Sequence, residues 1–346
     1  MPLDFTDEMR IHFIDVGQGA ATLVEFPCGA MLVDTGGEED EDGRFHSTEA
    51  LSAYLTAFFA RRTDLNGTLD LLLLTHPHID HIRGGETVLK TWKVKNFVEN
   101  GQTPFLDIGV EAMRRIHDAL SASPDTAQFV VRTDEFPDGG GPLTNPTIDP
   151  FSECKGVNPS VETLWGQVRH DPGWGEDDYG KTRFTNENNH SVATRVDFGK
   201  SSLLITGDLE VESIRSMMEI RDPKLLNVDI YEVGHHGSAN GTTRELMEAM
   251  SPAWAVMEMG PSDRRAAWTA WQYGHPRISA IELLEAGVSA PREPVEMRVG
   301  TAVKNFADVH IDKAIYGTGW DGTVVLEAKA DGTISRGAPD VAAGAE

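Results

Sequence analysis

The stretch 71-LLLLTHPHIDHIRGG-85 decides how this chain is read. A run of four leucines, Leu71 to Leu74, leads directly into His76, His78, Asp80 and His81. With no polar alternation, the leucines predict a short strand buried on both faces, as in the middle of a layered sheet. A titratable loop at its end has two readings. It is either a polar cap on a buried strand or a metal site that the strand exists to hold. His76 and His78 are two positions apart, so in an extended segment they point to the same side. Asp80 and His81 follow the turn of the loop and face a second point. One short loop can then serve two metal ions roughly 3.5–4 Å apart, a spacing suited to two-metal hydrolysis. The apolar strand acquires a reason: it fixes the loop that carries the ligands.

Such a site needs further ligands, among them a carboxylate able to bridge both ions. 203-LLITGD-208 offers Asp208 just after a second apolar strand, and 228-VDIYEVGHHGS-238 offers His235 and His236 after a third. 186-NENNHSVATRV-196 places His190 just before a fourth. Strand ends are where open α/β sheets assemble ligand sites. Four unrelated accidents at strand ends are harder to accept than one site, and the metal reading is preferred.

The bulk properties are compatible with this. The chain has 346 residues and 40% hydrophobic content, enough for a substantial core. MPLDFTDEMR has no basic, apolar leader character, and no apolar run approaches the ~18 residues that span a bilayer. No membrane association and a cytoplasmic location are expected. Cys28 and Cys154 form no paired spacing; one disulfide is open to them in principle, but free thiols in a reducing setting are the expectation. The formal net charge of -25 is spread along the chain, which favours solubility and opposes loose binding to nucleic acid or anionic membrane. An anionic substrate is still compatible, because two metal ions are a strong local positive charge.

Apolar runs separated by Gly and Pro predict strands over 11–16, 21–26, 31–36, 69–75, 94–99 and 129–132. Helical spacing appears over 47–62, 110–122, 209–219 and 277–286. Thr242 and Glu245 have the spacing of a capping box. The pattern breaks down over about 133–188, and a loop of that length is either functional or disordered. We expect one α/β domain over 1–334, with helices outside a two-sheet core and a second irregular insertion at about 262–273. Either insertion is a candidate contact for a protein partner. Residues 335–346 are expected to form a flexible tail, and nothing in the sequence specifies an oligomeric state.

The residues THPHIDH resemble the HxHxDH signature of the metallo-β-lactamase superfamily, and MLVDTG and LLITGD resemble its other motifs. More narrowly, IHFIDVGQGAATLV, NNHSVATRVDFGKSSLLITGDLE, DIYEVGHHGS and YGHPRISAIELL resemble the soluble metallo-hydrolase domain of the competence protein ComEC. The resemblance runs from Ile11 to about Ile334 and implies a four-layer αβ/βα sandwich. It implies that His76, His78 and His190 hold one metal. Asp80, His81 and one of His235 and His236 would hold the other, with Asp208 bridging. His236 is favoured as the ligand, which leaves His235 facing substrate; the opposite assignment stays open. Asp34 matches an acid that orients the histidine loop, though a turn aspartate after a strand explains it equally well.

The implied chemistry is hydrolysis by a hydroxide that two divalent ions, Zn or Mn, generate near neutral pH. Asp80 or His235 would move the proton to the leaving group. The leading expectation is a phosphodiesterase or nuclease acting on nucleotides or single-stranded nucleic acid. The alternatives are an acyl-type hydrolase (lactonase, thioesterase or β-lactamase-like) and a non-catalytic effector module on the same fold. Asn188, Asn189, Ser191, His275, Trp268, Trp271 and the Gly237-Ser238 amides are further candidates for substrate contact, each with a plain turn or packing explanation beside it.

Overall fold

The computed structural model describes residues 7–39, 45–151, 154–168 and 183–340. Parts of the 133–188 insertion and the end of the tail fall outside these residues. The first half runs β1 (Glu8–Phe13), β2 (Thr22–Phe26), β3 (Gly29–Val33), α1 (Ser47–Arg61), β4 (Thr68–Leu73), α2 (Ile79–Ile82), α3 (Gly85–Thr91), β5 (Lys93–Glu99), α4 (Asp107–Ser121) and β6 (Ala127–Val130). The second half runs β7 (Pro159–Trp165), β8 (Ala193–Phe198), β9 (Ser201–Ile205), α5 (Val211–Ile220), β10 (Ile230–Glu232), α6 (Arg244–Met250), β11 (Trp254–Met257), α7 (Ala270–Tyr273) and α8 (Ile278–Gly287). It closes with β12 (Pro291–Ala302), β13 (Asn305–Lys313), β14 (Ile315–Gly317), α9 (Thr318–Asp321), β15 (Val324–Lys329) and β16 (Ile334–Gly337).

The strands form an eight-stranded sheet in the order β16-β15-β1-β2-β3-β4-β5-β6 and a six-stranded sheet in the order β14-β11-β10-β9-β8-β7. Apolar side chains of both sheets, such as Ile11, Leu71 and Leu73 from one and Val196, Leu204 and Ile230 from the other, share one buried core. The opposite face of the first sheet is covered by α1, α3 and α4 through Leu55, Phe58, Leu89 and Ile116. Helices α5, α6 and α8 cover the second sheet through Ile214, Leu246 and Leu284. The result is the four-layer αβ/βα sandwich.

β4 shows why the leucine run is continuous. It lies between β3 and β5, parallel to both, with Leu72 opposite Leu32 and Phe97. Leu71 and Leu73 point into the core between the sheets, while Leu69, Leu72 and Leu74 point toward the helices. Apolar side chains are needed on both faces because neither meets water.

Several expectations are corrected. β7 lies inside the segment expected to be irregular, as the edge of the second sheet against β8. β12 and β13 pair as a separate ribbon whose largely exposed, charged residues carry no apolar signal. β16 and Asp340 belong to the fold, not to a loose tail: β16 pairs with β15, and Asp340 Oδ2 accepts from Arg61 Nη2 at 2.8 Å. The cap of α6 is Thr243, whose Oγ1 accepts from Leu246 N–H at 3.1 Å, and Thr242 instead bonds the buried Tyr231 hydroxyl at 3.0 Å. Cys28, in the β2–β3 turn, is joined to Cys154, with 5.1 Å between their Cα atoms. The expectation of free thiols is therefore overturned by the fold, which brings together two residues 126 positions apart.

Candidate metal centre

The candidate residues sit on loops at one end of the two sheets. Asp34 follows β3 and ties the histidine loop in place. Its Oδ1 accepts from Thr75 N–H and its Oδ2 from Thr75 Oγ1, both at 2.7 Å, and Oδ2 also accepts from His81 Nδ1 at 2.7 Å. Thr35 N–H donates to His81 O at 2.7 Å and Ala20 N–H to Asp80 O at 3.1 Å. Gly37 is required here, since a Cβ at that position would run into the Asp80 backbone. From the other sheet, Asp208 follows β9 and its N–H donates to Ser191 Oγ at 3.2 Å. The turn after β10 puts His235, His236 and Gly237 all at left-handed φ (51°, 54° and 75°). Two non-glycine residues in that region are strained, and such strain gathers at functional sites. The turn throws His236 inward, where its Nδ1 donates to Glu258 O at 2.6 Å.

These contacts set the tautomers. His81 and His236 donate through Nδ1 to oxygen acceptors, so in the neutral rings each Nε2 carries a lone pair, and the two Nε2 atoms face each other at 3.2 Å. His78 donates through Nε2 to Glu187 Oε2 at 2.7 Å, leaving its Nδ1 lone pair 3.0 Å from His76 Nε2. His76 Nδ1 lies 3.2 Å from Thr75 Oγ1, whose proton is already given to Asp34. Lone pairs facing lone pairs at hydrogen-bond distance call for a cation between them. Asp208 lies amid both pairs, with Oδ1 3.3 Å from His81 Nε2 and Oδ2 3.8 Å from His76 Nε2 and 3.6 Å from His236 Nε2. Asp80 Oδ2 is 3.4 Å from His236 Nε2. Two sets, Asp80–His81–Asp208–His236 and His76–His78–Asp208, each offer atoms within 4.8 Å of one another and can hold two ions that share Asp208.

The carboxylates draw positive charge into the site: against burial, Asp208 and Asp34 hold His81 well above the usual imidazole range, Asp208 and Asp80 raise His236, and Glu187 raises His78. Burial, followed by the neighbouring His81 and His78, holds His76 well below the usual imidazole range, so it stays neutral. Burial alone would raise Asp208, yet His81, His236 and His235 outweigh it and hold the carboxyl well below its usual value. Behind His236, burial pushes the Glu258 carboxyl up to about 7, against the lowering pull of hydrogen bonds from Ala21 N–H and Thr22 Oγ1, both 2.8 Å.

His190 is the exception among the expected metal residues. Its Nδ1 accepts from Val168 N–H at 2.9 Å and its Nε2 donates to Phe184 O at 2.7 Å, so both ring nitrogens are spent on backbone. Among the described residues, His190 is not one of those whose ligand atoms converge. His235 stands beside the two sets, outside both, with Nε2 3.8 Å from Asp208 Oδ2 and 3.4 Å from Asn188 Nδ2. Ser191 and Asn189 are structural: Ser191 Oγ donates to Asn188 O, and Asn189 O accepts from Trp165 Nε1. Ser238 N–H is taken by His235 O at 2.8 Å, which makes that segment a turn and not an anion cradle. Trp271 lies under Lys304, whose Nζ is 5.0 Å from its ring centre. His275 stacks on Tyr273, with ring centres 5.5 Å apart.

Glu187 is the residue that the sequence pattern does not single out. It is buried in a short 3-10 turn, Glu187–His190, and also accepts from Phe105 N–H at 2.6 Å. Its only signal is adjacency to the Asn-Asn-His motif, which nothing distinguishes from the chain's many other acids. A carboxylate that orients a metal-binding histidine tunes affinity through the ring. Glu187→Gln keeps the size and the bond from Phe105 but removes the charge. We expect metal affinity to fall about 10–100-fold in a competing-chelator titration, with the melting temperature of the metal-free protein little changed.

The site opens into a cavity of about 500 Å³. His78, Asp80, Asp208, His235 and His236 form its floor, and its walls include Leu106, Ile108, Pro104, Trp268 and Tyr273.

Residues 14–152 match the family model described as the metallo-beta-lactamase superfamily. Over that segment the chain is similar to the metallo-β-lactamase superfamily. Among curated proteins, ComE operon protein 3 of Bacillus subtilis (strain 168) is 26% identical over 304 residues, covering 81% of this chain and 31% of that protein. Recombination protein 2 of Haemophilus influenzae is 26% identical over 290 residues, covering 81% of this chain and 27% of that protein. The chain thus spans less than a third of the length of these relatives. Among solved structures, the metallo-beta-lactamase fold protein YhfI from Bacillus subtilis superposes with a TM-score of 0.43 at 13% identity, covering 96% of this chain and 100% of that one. The matched segment contains His76, His78, Asp80 and His81. No helix among the described residues is long and apolar enough to cross a membrane.

Proposed function

We propose that the protein is a metal-dependent phosphodiester hydrolase acting on nucleotides or single-stranded ends. The observation that carries this reading is the pair of histidine–carboxylate sets sharing Asp208, with His235 standing outside both beside the open cavity. His76, His78 and Asp208 would hold one divalent ion, and Asp80, His81, His236 and Asp208 the other. The donor set, imidazole and carboxylate without thiolate, suits Zn or Mn. Two such ions, when bound, supply Lewis acidity and a water acidic enough to ionise near neutral pH.

The chain's own residues do the rest. Asp34, Glu187 and the Glu258 carbonyl take one nitrogen of each ring and hold the other facing inward. Asp208 and Asp80 offset the positive charge. His235, a hydrogen-bond distance or slightly more from Asn188 and Asp208, is placed to hand a proton to a leaving oxygen. Similarity of the GHHGS and NNHS segments to the ComEC metallo-hydrolase domain favours phosphodiester over acyl chemistry. The apolar cavity walls favour the second reading, an acyl-type hydrolase. The Cys28–Cys154 bond favours an oxidising compartment over the cytoplasmic setting that the sequence suggests.

The test is an assay of Zn- and Mn-loaded protein against bis-p-nitrophenyl phosphate, single-stranded DNA, RNA and a lactone. Metal-dependent phosphodiester cleavage, lowered more than about 100-fold in His78→Ala, is expected. Lactone cleavage without phosphodiester cleavage would overturn the phosphodiesterase reading in favour of the acyl one.

A further inference from the structure

The mouth of the cavity is built from the wrong residues for a polyanion. Arg83 is the only Lys or Arg among its described lining residues. That guanidinium is already engaged, with Nε donating to Gly37 O and Nη1 to Glu39 Oε2, both at 2.6 Å. Glu39, Asp107 and Glu187 also line the cavity, so beyond the metal sites its walls carry net negative charge. A strand with a phosphate at every step would meet repulsion as soon as it left the centre.

The same mouth exposes an unusual amount of apolar surface. At the start of α4, Leu106 and Ile108 are 53% and 49% exposed, and Trp268, which lines the same cavity, is 62% exposed. Trp268 is held there by its backbone: its φ is 59°, in the left-handed region, and its N–H donates to Gln272 Oε1 at 2.7 Å. A bulky residue kept in a strained backbone with its ring in solvent is not explained by packing. Both walls belong to one cavity whose floor is the candidate metal centre.

We infer that Leu106 and Ile108 on one wall and Trp268 on the other form a specificity clamp for a bulky, neutral, apolar substituent of a small ester substrate. The identification of the ester as a phosphodiester rests on the function proposed above. The clamp selects the group that remains attached to the phosphorus beside the scissile bond. The substrate is a single-charge phosphodiester of nucleotide size or smaller, bearing an aryl group, a nucleobase or a comparable alkyl group. The acidic walls disfavour a polynucleotide, which narrows the function proposed above to its nucleotide arm.

The experiment uses the full chain loaded with Mn or Zn and esters that share p-nitrophenolate as leaving group. The retained group is methyl, decyl, phenyl or 5′-thymidyl, and an oligothymidylate ending in the same ester completes the set. The expected result is kcat/KM at least about tenfold higher for the bulky esters than for the methyl ester, and no gain from lengthening the strand. The bulky-over-methyl ratio should fall at least about fivefold in Trp268→Ala and in Leu106→Ser. The decyl, phenyl and thymidyl arms separate alkyl, aryl and nucleobase selection. Equal rates for all retained groups, an unchanged ratio in both variants, or the longest strand as best substrate would overturn the inference while leaving the phosphodiesterase reading intact. A second readout works without turnover. Calorimetric binding of naphthyl phosphate should be about tenfold tighter than that of methyl phosphate and should lose that margin in Trp268→Ala. If no phosphodiester is cleaved but this margin is present, the clamp stands and the assigned ester class falls; no margin overturns the clamp.

Discussion

Asp208→Ala is expected to abolish ordered two-metal binding. Asp208 is the one side chain common to both ligand sets, 3.3 Å from His81 Nε2 and 3.8 Å from His76 Nε2. Its removal takes an anion from each ion at once and leaves the facing imidazoles with two positive charges and only Asp80 to balance them. A carboxylate that merely orients a ligand is worth about 10–100-fold in affinity, and a shared direct ligand must be worth more. The prediction is a metal content falling from two ions per chain to one or fewer on dialysis. Activity against bis-p-nitrophenyl phosphate should fall more than about 100-fold. Asp208→Asn keeps the shape and the hydrogen bond from Asp208 N–H to Ser191 Oγ, so a similar loss there would assign the effect to charge. Two tightly bound ions in both variants would show that the centre does not depend on a bridge.

The second large effect is on stability. Glu25→Ala should destabilise the fold by about 3–5 kcal/mol in urea titrations, because it leaves buried positive charge without its partner. Glu25 is fully buried in β2. Its Oε1 accepts from Arg61 Nη1 and Arg62 Nη1, both at 2.8 Å, and its Oε2 from Arg61 Nη2 at 2.8 Å, with His12 Nε2 at 3.2 Å. Burial would raise the Glu25 carboxyl, but His12 and Arg61 prevail and hold it well below the usual carboxylate range. The sign of the pH dependence follows. A carboxyl whose folded pKa lies below its unfolded value near 4.5 contributes its full stability above that value and loses it as pH falls toward the folded pKa. The difference between wild type and Glu25→Ala should therefore be constant from pH 6 to pH 8 and shrink below about pH 4. A difference that grew on acidification would refute this account. The network also explains the order of Asp340, which Arg61 reaches on its other side.

The metal-binding loop was legible because its chemistry is local. His76, His78, Asp80 and His81 lie within six residues, and the leucines before them have no role except burial on two faces. Asp208 and His236 were legible for a related reason: each follows a short apolar strand, and the parallel strands β9 and β10 end at the same level. Asp34 could be named but not assigned from sequence, since a turn aspartate and a ring-orienting aspartate look alike until Thr75 and His81 are seen to share it. His190 had the right residue type in the right place along the chain. Only the packed structure turns its ring toward Phe184 O and Val168 N–H.

The sequence by itself therefore determined the layered fold and the histidine loop at the end of β4. Strand burial and ligand spacing are written in short-range patterns of two to six residues. The tertiary structure alone decided which histidine nitrogens converge, that Glu187 orients His78, that Cys28 meets Cys154, and that Trp268 and Leu106 line one cavity. Each of these joins segments far apart in the chain, and their meeting depends on how two sheets pack face to face, which no local pattern encodes.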